Sequence, residues 1–192
     1  MMTSLAFALF DTAIGFCAVV WSERGIAGVQ LPEADARATR ARVLKRYPAA
    51  LESTPPPATQ RAIDGIVALL DGEARDLNDI VIDDDGTPVF NTRVYAIARA
   101  IPPGQTMTYG EIAERLGDKA LARAVGQALG ENPVPIIMPC HRVLAAGGKT
   151  GGFSASGGVV TKLRLLTIEG AQPGGPTLFD RLPLAAARRR PS

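Results

Sequence analysis

Histidine occurs once in this chain of 192 residues, at position 141, and cysteine twice, at positions 17 and 140. Two cysteines cannot build a disulfide framework, so a reducing, cytoplasmic setting is expected and the Cys140 thiol should stay free. A structural zinc site needs a tetrahedral set of cysteine and histidine ligands. Three such residues split between the two ends of the chain cannot supply it, so neither a metal nor another cofactor is expected. No run is long and apolar enough to span a bilayer. The opening, Met1 to Trp21, is apolar but has no Lys or Arg before Arg24 and is broken by Asp11, so no secretory signal is expected there. Asp83-Asp84-Asp85 lacks the acceptor spacing and closing glutamate of a calcium loop and reads as a solvated turn.

Hydrophobic residues make up 46% of the chain and charged residues 21%, which provides a core and argues against general disorder. Net charge is only +2, but it is unevenly placed. Residues 1–88 carry 8 basic and 13 acidic side chains, residues 89–170 carry 9 and 5, and residues 171–192 carry 4 and 1. The basic second half points to an anionic partner, with nucleic acid the common case, although solvated surface charge would look the same.

The best boundary is Asp83 to Pro88, where a charge run and Gly/Pro punctuation separate two apolar-patterned regions. Before it, Gly15–Trp21 and Ile26–Leu31 flank a turn at Ser22–Gly25 and predict a hairpin, with Cys17 packed inside the first strand. Residues 33–47 and Thr59–Leu70 predict helices, and Asp79–Ile82 a short strand. After it, Pro88–Ala100 predicts a helix with Thr87 as N-cap, and Val89, Val94, Ile97 and Ala98 facing a core. Thr108 then caps Tyr109–Leu116, with Glu111 placed to complete a capping box. Gly117-Asp118-Lys119 forms a turn, and Ala120–Leu129 a second helix ended by Gly130. Helix, glycine turn, helix is a common way to present a helix to DNA.

That second helix has few side chains able to read base edges in a major groove. It is rich in Ala and Gly, with Arg123 near its start. Small residues suit close approach to a minor groove, where one long cation can enter the base stack. They would equally allow tight helix packing. The chemistry centres on Pro139-Cys140-His141-Arg142-Val143, a thiol beside the only imidazole. The apolar stretch Pro133–Met138 precedes it as a short buried strand or stiff loop. The glycine-rich loop Gly147–Ser154 follows it.

The order of these pieces resembles one family. Ile101-Pro102-x-Gly104, Thr108-Tyr109-Gly110, Ala122-Arg123-Ala124-Val125-Gly126, Asn132-Pro133-x-Pro135-Ile136, Pro139-Cys140-His141-Arg142-Val143 and Glu169-Gly170 are similar to the O6-alkylguanine-DNA alkyltransferases, also called methylated-DNA–protein-cysteine methyltransferases. The match is dense over residues 80–170 and weaker before them. It implies an α+β fold. A small N-terminal α/β domain with an antiparallel, RNase H-like sheet would span 1–82, and a linker 83–88. A mostly helical, winged-helix-like domain with a helix-turn-helix would span 89–170, and a tail 171–192.

It also implies direct, single-turnover repair of DNA, with no cofactor. An O6-alkylguanine, with O4-alkylthymine as a second candidate lesion, is flipped from double-stranded DNA held through the minor groove, and its alkyl group passes to Cys140. The family likeness implies catalytic roles for Cys140, His141, Glu169 and Asn132. It implies DNA contacts from Tyr109, Arg123, Ala122, Ala124, Gly126 and Arg142, and a base pocket of Tyr109, Met138, Val143, Phe153 and Ser154. In an extended segment Cys140 and His141 would face opposite ways, so a bridging water is expected between them. Glu169 would orient His141, as in a triad.

Leu121 stands where known members have a small residue, and Phe153 where many have tyrosine. No second acceptor cysteine is expected, Cys17 being embedded in a strand. The competing readings are an alkyltransferase-like protein that binds lesions without chemistry, and a thiol hydrolase. The first lacks the acceptor cysteine. The second leaves the Ala-rich helix and Arg123 unexplained. Monomer is the default expectation, with no membrane partner.

Overall fold

The computed structural model describes residues 4–171, so the Arg188-Arg189-Arg190 tail lies outside the described residues. The fold is mixed α+β. Three strands run antiparallel: β1 (Ala6–Phe10), β2 (Cys17–Ser22) and β3 (Gly25–Gln30). A two-residue strand, β4 (Leu51–Glu52), adds to β1 in parallel, giving the order β3-β2-β1-β4 and a sheet that is antiparallel except at this edge. β2 is central and buried on both faces. Its period of two sends Cys17, Val19 and Trp21 to the main core, and Ala18 and Val20 to a smaller cluster with Phe7 and Val43.

Val43 belongs to α1 (Ala36–Arg46), which covers that second face. Asp35 caps α1, accepting from the Ala38 amide at 2.7 Å. On the other face lies α2 (Pro57–Leu70), with Pro57 in its first turn and Ile63, Ile66, Leu69 and Leu70 buried.

Three expectations before residue 90 need correction. β1 is a full strand within a stretch read only as apolar. Asp79–Ile82 makes a single bridge, Ile82 to Ile26, because the chain turns away at once. Asp83 is not a solvated turn residue: its side chain is 7% exposed and accepts from Ser22 Oγ at 2.5 Å and Arg24 Nε at 2.9 Å.

The second region holds α3 (Val89–Arg99), β5 (Met107–Thr108), α4 (Tyr109–Arg115), a 3₁₀ turn (Lys119–Leu121), α5 (Ala122–Gly130), a 3₁₀ turn (Cys140–Arg142), β6 (Val143–Leu144) and α6 (Gly158–Ile168). α3 begins one residue later than expected, with Pro88 at the cap, and Val89 is 79% exposed rather than core-facing. The capping box of α4 forms as read. Thr108 Oγ1 accepts from the Glu111 amide at 3.1 Å, and Glu111 accepts from the Thr108 amide at 2.6 Å.

β5 and β6 pair in parallel, Met107 with Val143 and Thr108 with Leu144. This short ladder fixes the start of α4, and so Tyr109, against the residues that follow the active-site turn. The main hydrophobic cluster is continuous across residues 83–88, joining Val19, Trp21 and Ile66 to Val94, Ile112 and Val125. Among the described residues no helix is long and apolar enough to cross a membrane.

Candidate active site

The site is built on the loop that leaves α5. Asn132 is buried there and donates from Nδ2 to the Met138 carbonyl at 2.9 Å and to Cys140 Sγ at 3.4 Å, while its Oδ1 accepts from the Val134 amide at 2.9 Å. One side chain therefore ties together both ends of the apolar approach and the thiol. Within that approach Ile136 has φ of +76°, a conformation costly for a β-branched residue and held here by burial on all sides.

Cys140–Arg142 is a 3₁₀ turn and not an extended segment, closed by the Arg142 amide on the Pro139 carbonyl at 2.9 Å. Cys140 and His141 still diverge, because side chains fan around a helical turn. Cys140 lines the cavities, whereas His141 is fully buried. His141 Nε2 lies 2.8 Å from Glu169 Oε1. Burial alone would raise the Glu169 pKa, but hydrogen bonds from His141 and Arg142 reverse this and bring it down to about 2. An ionised carboxylate can only accept, so Nε2 carries the proton and Nδ1 is left with its lone pair. Among the described residues Nδ1 is buried without a protein hydrogen-bond partner. Burial also lowers the His141 pKa, which favours the neutral ring, and raises that of Cys140 above the usual thiol value.

Arg142, expected at the DNA surface, is instead interior. It is 5% exposed and grips Glu169 with two bonds, Nε to Oε2 at 2.9 Å and Nη2 to Oε1 at 2.8 Å. Its Nη1 donates to the Ile101 carbonyl at 2.6 Å. The guanidinium fixes, from the interior, the carboxylate that fixes His141.

Two cavities meet at Cys140. One, of about 470 Å³, is lined by Tyr109, Gly126, Leu129, Cys140, Phe153 and Ser154, among others. Tyr109 is half-buried on its wall. A Cβ at Gly151 would sit 3.0 Å from the tyrosine ring, and Gly151 has φ of +68°, so glycine is required for this approach. Ser154 Oγ donates to the Gly130 carbonyl at 3.0 Å, pinning the glycine-rich loop to the end of α5. The second cavity, of about 630 Å³, opens on the other side of the thiol toward β3 and α1. Met138 and Val143, expected in the base pocket, are fully buried behind it and line neither cavity. Their carbonyls serve as anchors for Asn132 and Lys162 instead.

Arg123 is exposed on α5. Ala122, Ala124 and Gly126 are half-buried along the same helix, and of these only Gly126 reaches the cavity. The residue that sequence reasoning missed is Lys162. It is fully buried, donates to the Val143 carbonyl at 2.6 Å and lies 5.8 Å from the centre of the Tyr109 ring. Burial lowers its pKa to about 8, and its charge favours the Cys140 thiolate. The available signal was its position on the apolar face of α6, in line with Leu165 and Leu166.

The 6-O-methylguanine DNA methyltransferase, DNA binding domain family matches residues 89–171. A methylated-DNA–protein-cysteine methyltransferase of Methanothermobacter thermautotrophicus is 36% identical over 157 residues, which is 82% of this chain and 81% of the relative. The crystal structure of the Mycobacterium tuberculosis O6-methylguanine methyltransferase superposes with a TM-score of 0.69 at 34% identity, over 92% of this chain and 99% of that one. The Mycobacterium tuberculosis OGT in complex with DNA also gives a TM-score of 0.69, at 33% identity over 86% of this chain and 92% of that one.

Proposed function

The chain belongs to the methylated-DNA–protein-cysteine methyltransferase family, and from that premise we propose that it reverses O6-alkylguanine damage in DNA directly, taking the alkyl group onto Cys140. The observation that carries this reading is the thiol of Cys140 at a cavity wall, with the His141–Glu169–Arg142 chain buried behind it. The flipped guanine occupies the cavity beside Tyr109 and Phe153. A water bridges Cys140 Sγ to the free lone pair of His141 Nδ1 and carries the thiol proton there. The thiolate attacks the alkyl carbon, an S–C bond forms, the C–O6 bond breaks, and the electron pair leaves on the guanine, which takes up a proton from water as His141 releases the one it accepted. Lys162 and Asn132 support the thiolate as it forms. The thioether is stable, so each molecule acts once.

α5 enters the minor groove of double-stranded DNA, with Ala122, Ala124 and Gly126 allowing close approach and Arg123 filling the vacated place in the stack. The N-terminal sheet is RNase H-like in this reading, and the second domain, divided from it at 83–88, is winged-helix-like. The protein acts as a cytoplasmic monomer. Acceptance of O4-alkylthymine follows only if the same cavity admits a pyrimidine.

Incubation with excess duplex carrying O6-methylguanine tests the reading. Restored guanine should plateau at one equivalent per protein. Continued turnover would indicate a hydrolase, and no restoration a lesion binder. Arg123→Ala should slow repair of duplex DNA by roughly tenfold to a hundredfold while leaving single-stranded repair nearly intact, since base flipping costs a few kcal/mol only in the duplex. Equal losses on both substrates, in parallel rate measurements, would remove Arg123 from the wedge role.

A further inference from the structure

Of the eight basic residues in the otherwise acidic stretch 1–88, five lie on α1: Arg37, Arg40, Arg42, Lys45 and Arg46, with no acidic residue in the helix. Among the described residues only Arg40 is well paired, with Glu52 at 2.8 Å, and Arg42 has a loose contact with Glu33 at 3.9 Å. Among the described residues Lys45 and Arg46 have no carboxylate partner, and both are exposed. Arg42, Lys45 and Arg46 are spaced i, i+3, i+4, which places three cations on one face. Lys45 and Arg46 lie in the last turn, where the helix dipole favours cations, and Arg46 sits 5.5 Å from the centre of the Tyr47 ring. Like charges at that spacing nevertheless repel one another and leave a face that is net positive. That face lines the larger cavity, whose far wall includes Cys140, Asn132 and Phe153.

We propose that the Arg42–Lys45–Arg46 face of α1 is a second DNA-backbone contact, which holds phosphates of the flipped strand across the active-site mouth from α5. This rests on the DNA-repair reading. DNA seated on α5 with a base in the smaller cavity brings its backbone to the rim shared by both cavities. A cationic wall there neutralises phosphates on the side that α5 does not reach. The N-terminal region thus takes a direct part in binding rather than serving only as a scaffold.

The test is fluorescence-anisotropy binding of an unmodified labelled duplex over a salt series. The variants are the triple Arg42→Gln/Lys45→Gln/Arg46→Gln, the single Lys45→Gln and Arg46→Gln, and Arg61→Gln, which removes an exposed charge from α2. The triple variant should raise Kd roughly tenfold at moderate salt and flatten the log Kd against log salt slope by about 2. Each single should show a part of this and Arg61→Gln almost none. Wild-type affinity and slope in the triple variant would overturn the proposal, as would a loss per charge no larger than that of Arg61→Gln. The singles decide if the triple does not fold. An effect confined to duplexes bearing O6-carboxymethylguanine would place these cations around an anionic adduct and also overturn it. Methyl uptake by the wild-type protein, measured alongside, separates failure of this contact from failure of the repair reading.

Discussion

Glu169→Gln is expected to cost both activity and stability. The substitution removes the anion that receives His141 Nε2 and two arms of Arg142, and leaves a buried guanidinium without its counter-charge. Breaking such a pair from one side is costly, because the remaining charge stays desolvated. The pKa displacement from 4.5 to about 2, on a side chain 1% exposed, corresponds to about 3 kcal/mol. The sign follows from the depression. The stabilisation is complete above the unfolded carboxylate value and is lost as pH falls through about 2. The difference in melting temperature between wild type and variant should therefore be full at neutral pH, roughly 10 °C, and should shrink at strongly acidic pH.

The transfer rate should fall on the order of 10²-fold, since the neutral amide no longer selects the tautomer that leaves Nδ1 free. In the wild type the acid limb of the rate profile should lie below 6.5, because burial lowers the His141 pKa. Single-turnover rates and thermal melts across pH measure both. A variant that melts like wild type at neutral pH would show that the carboxylate is not the anchor of this network.

Cys140→Ala should abolish transfer while leaving affinity for alkylated duplex close to that of the wild type. The sulfur occupies the wall between two cavities and makes one weak contact, accepting from Asn132 at 3.4 Å. Its removal takes away the nucleophile without disturbing α5, Tyr109 or the loop at Phe153. Cys17 cannot substitute. It is fully buried in β2, its pKa is pushed up to about 12 by burial, and no histidine is near it. Gel-shift affinity together with a guanine-restoration assay gives both halves of the result. Retained transfer would place the acceptor elsewhere.

The features legible in the sequence were those whose causes are local. The Thr108–Glu111 capping box, the β2–β3 hairpin and α2 each follow from a few neighbouring residues. Cys140, His141, Asn132 and Glu169 were legible through the order of short motifs, although the carboxylate lies 28 residues beyond the imidazole. The rest depended on partners that no local pattern specifies. Arg142 reads as a surface cation until the Ile101 carbonyl and Glu169 are seen to enclose it. Lys162 carries no local motif, and its burial is set by the Val143 carbonyl, 19 residues away, that accepts from it. β1 was hidden because a short apolar run does not distinguish a strand from a buried helix. Residues 33–47 read as a helix, but the orientation of its cations toward the Cys140 cavity has no local signal.

The central claim is that a methyl group leaves O6 of guanine and stays on one sulfur. Peptide mass mapping after reaction with an O6-methylguanine duplex examines that transfer without intermediaries. The peptide containing Cys140 should gain a single methyl in place of the thiol proton, in step with restored guanine, and the peptide containing Cys17 should not change. Guanine restored with the Cys140 peptide unaltered, or the methyl found on another residue, would contradict the account.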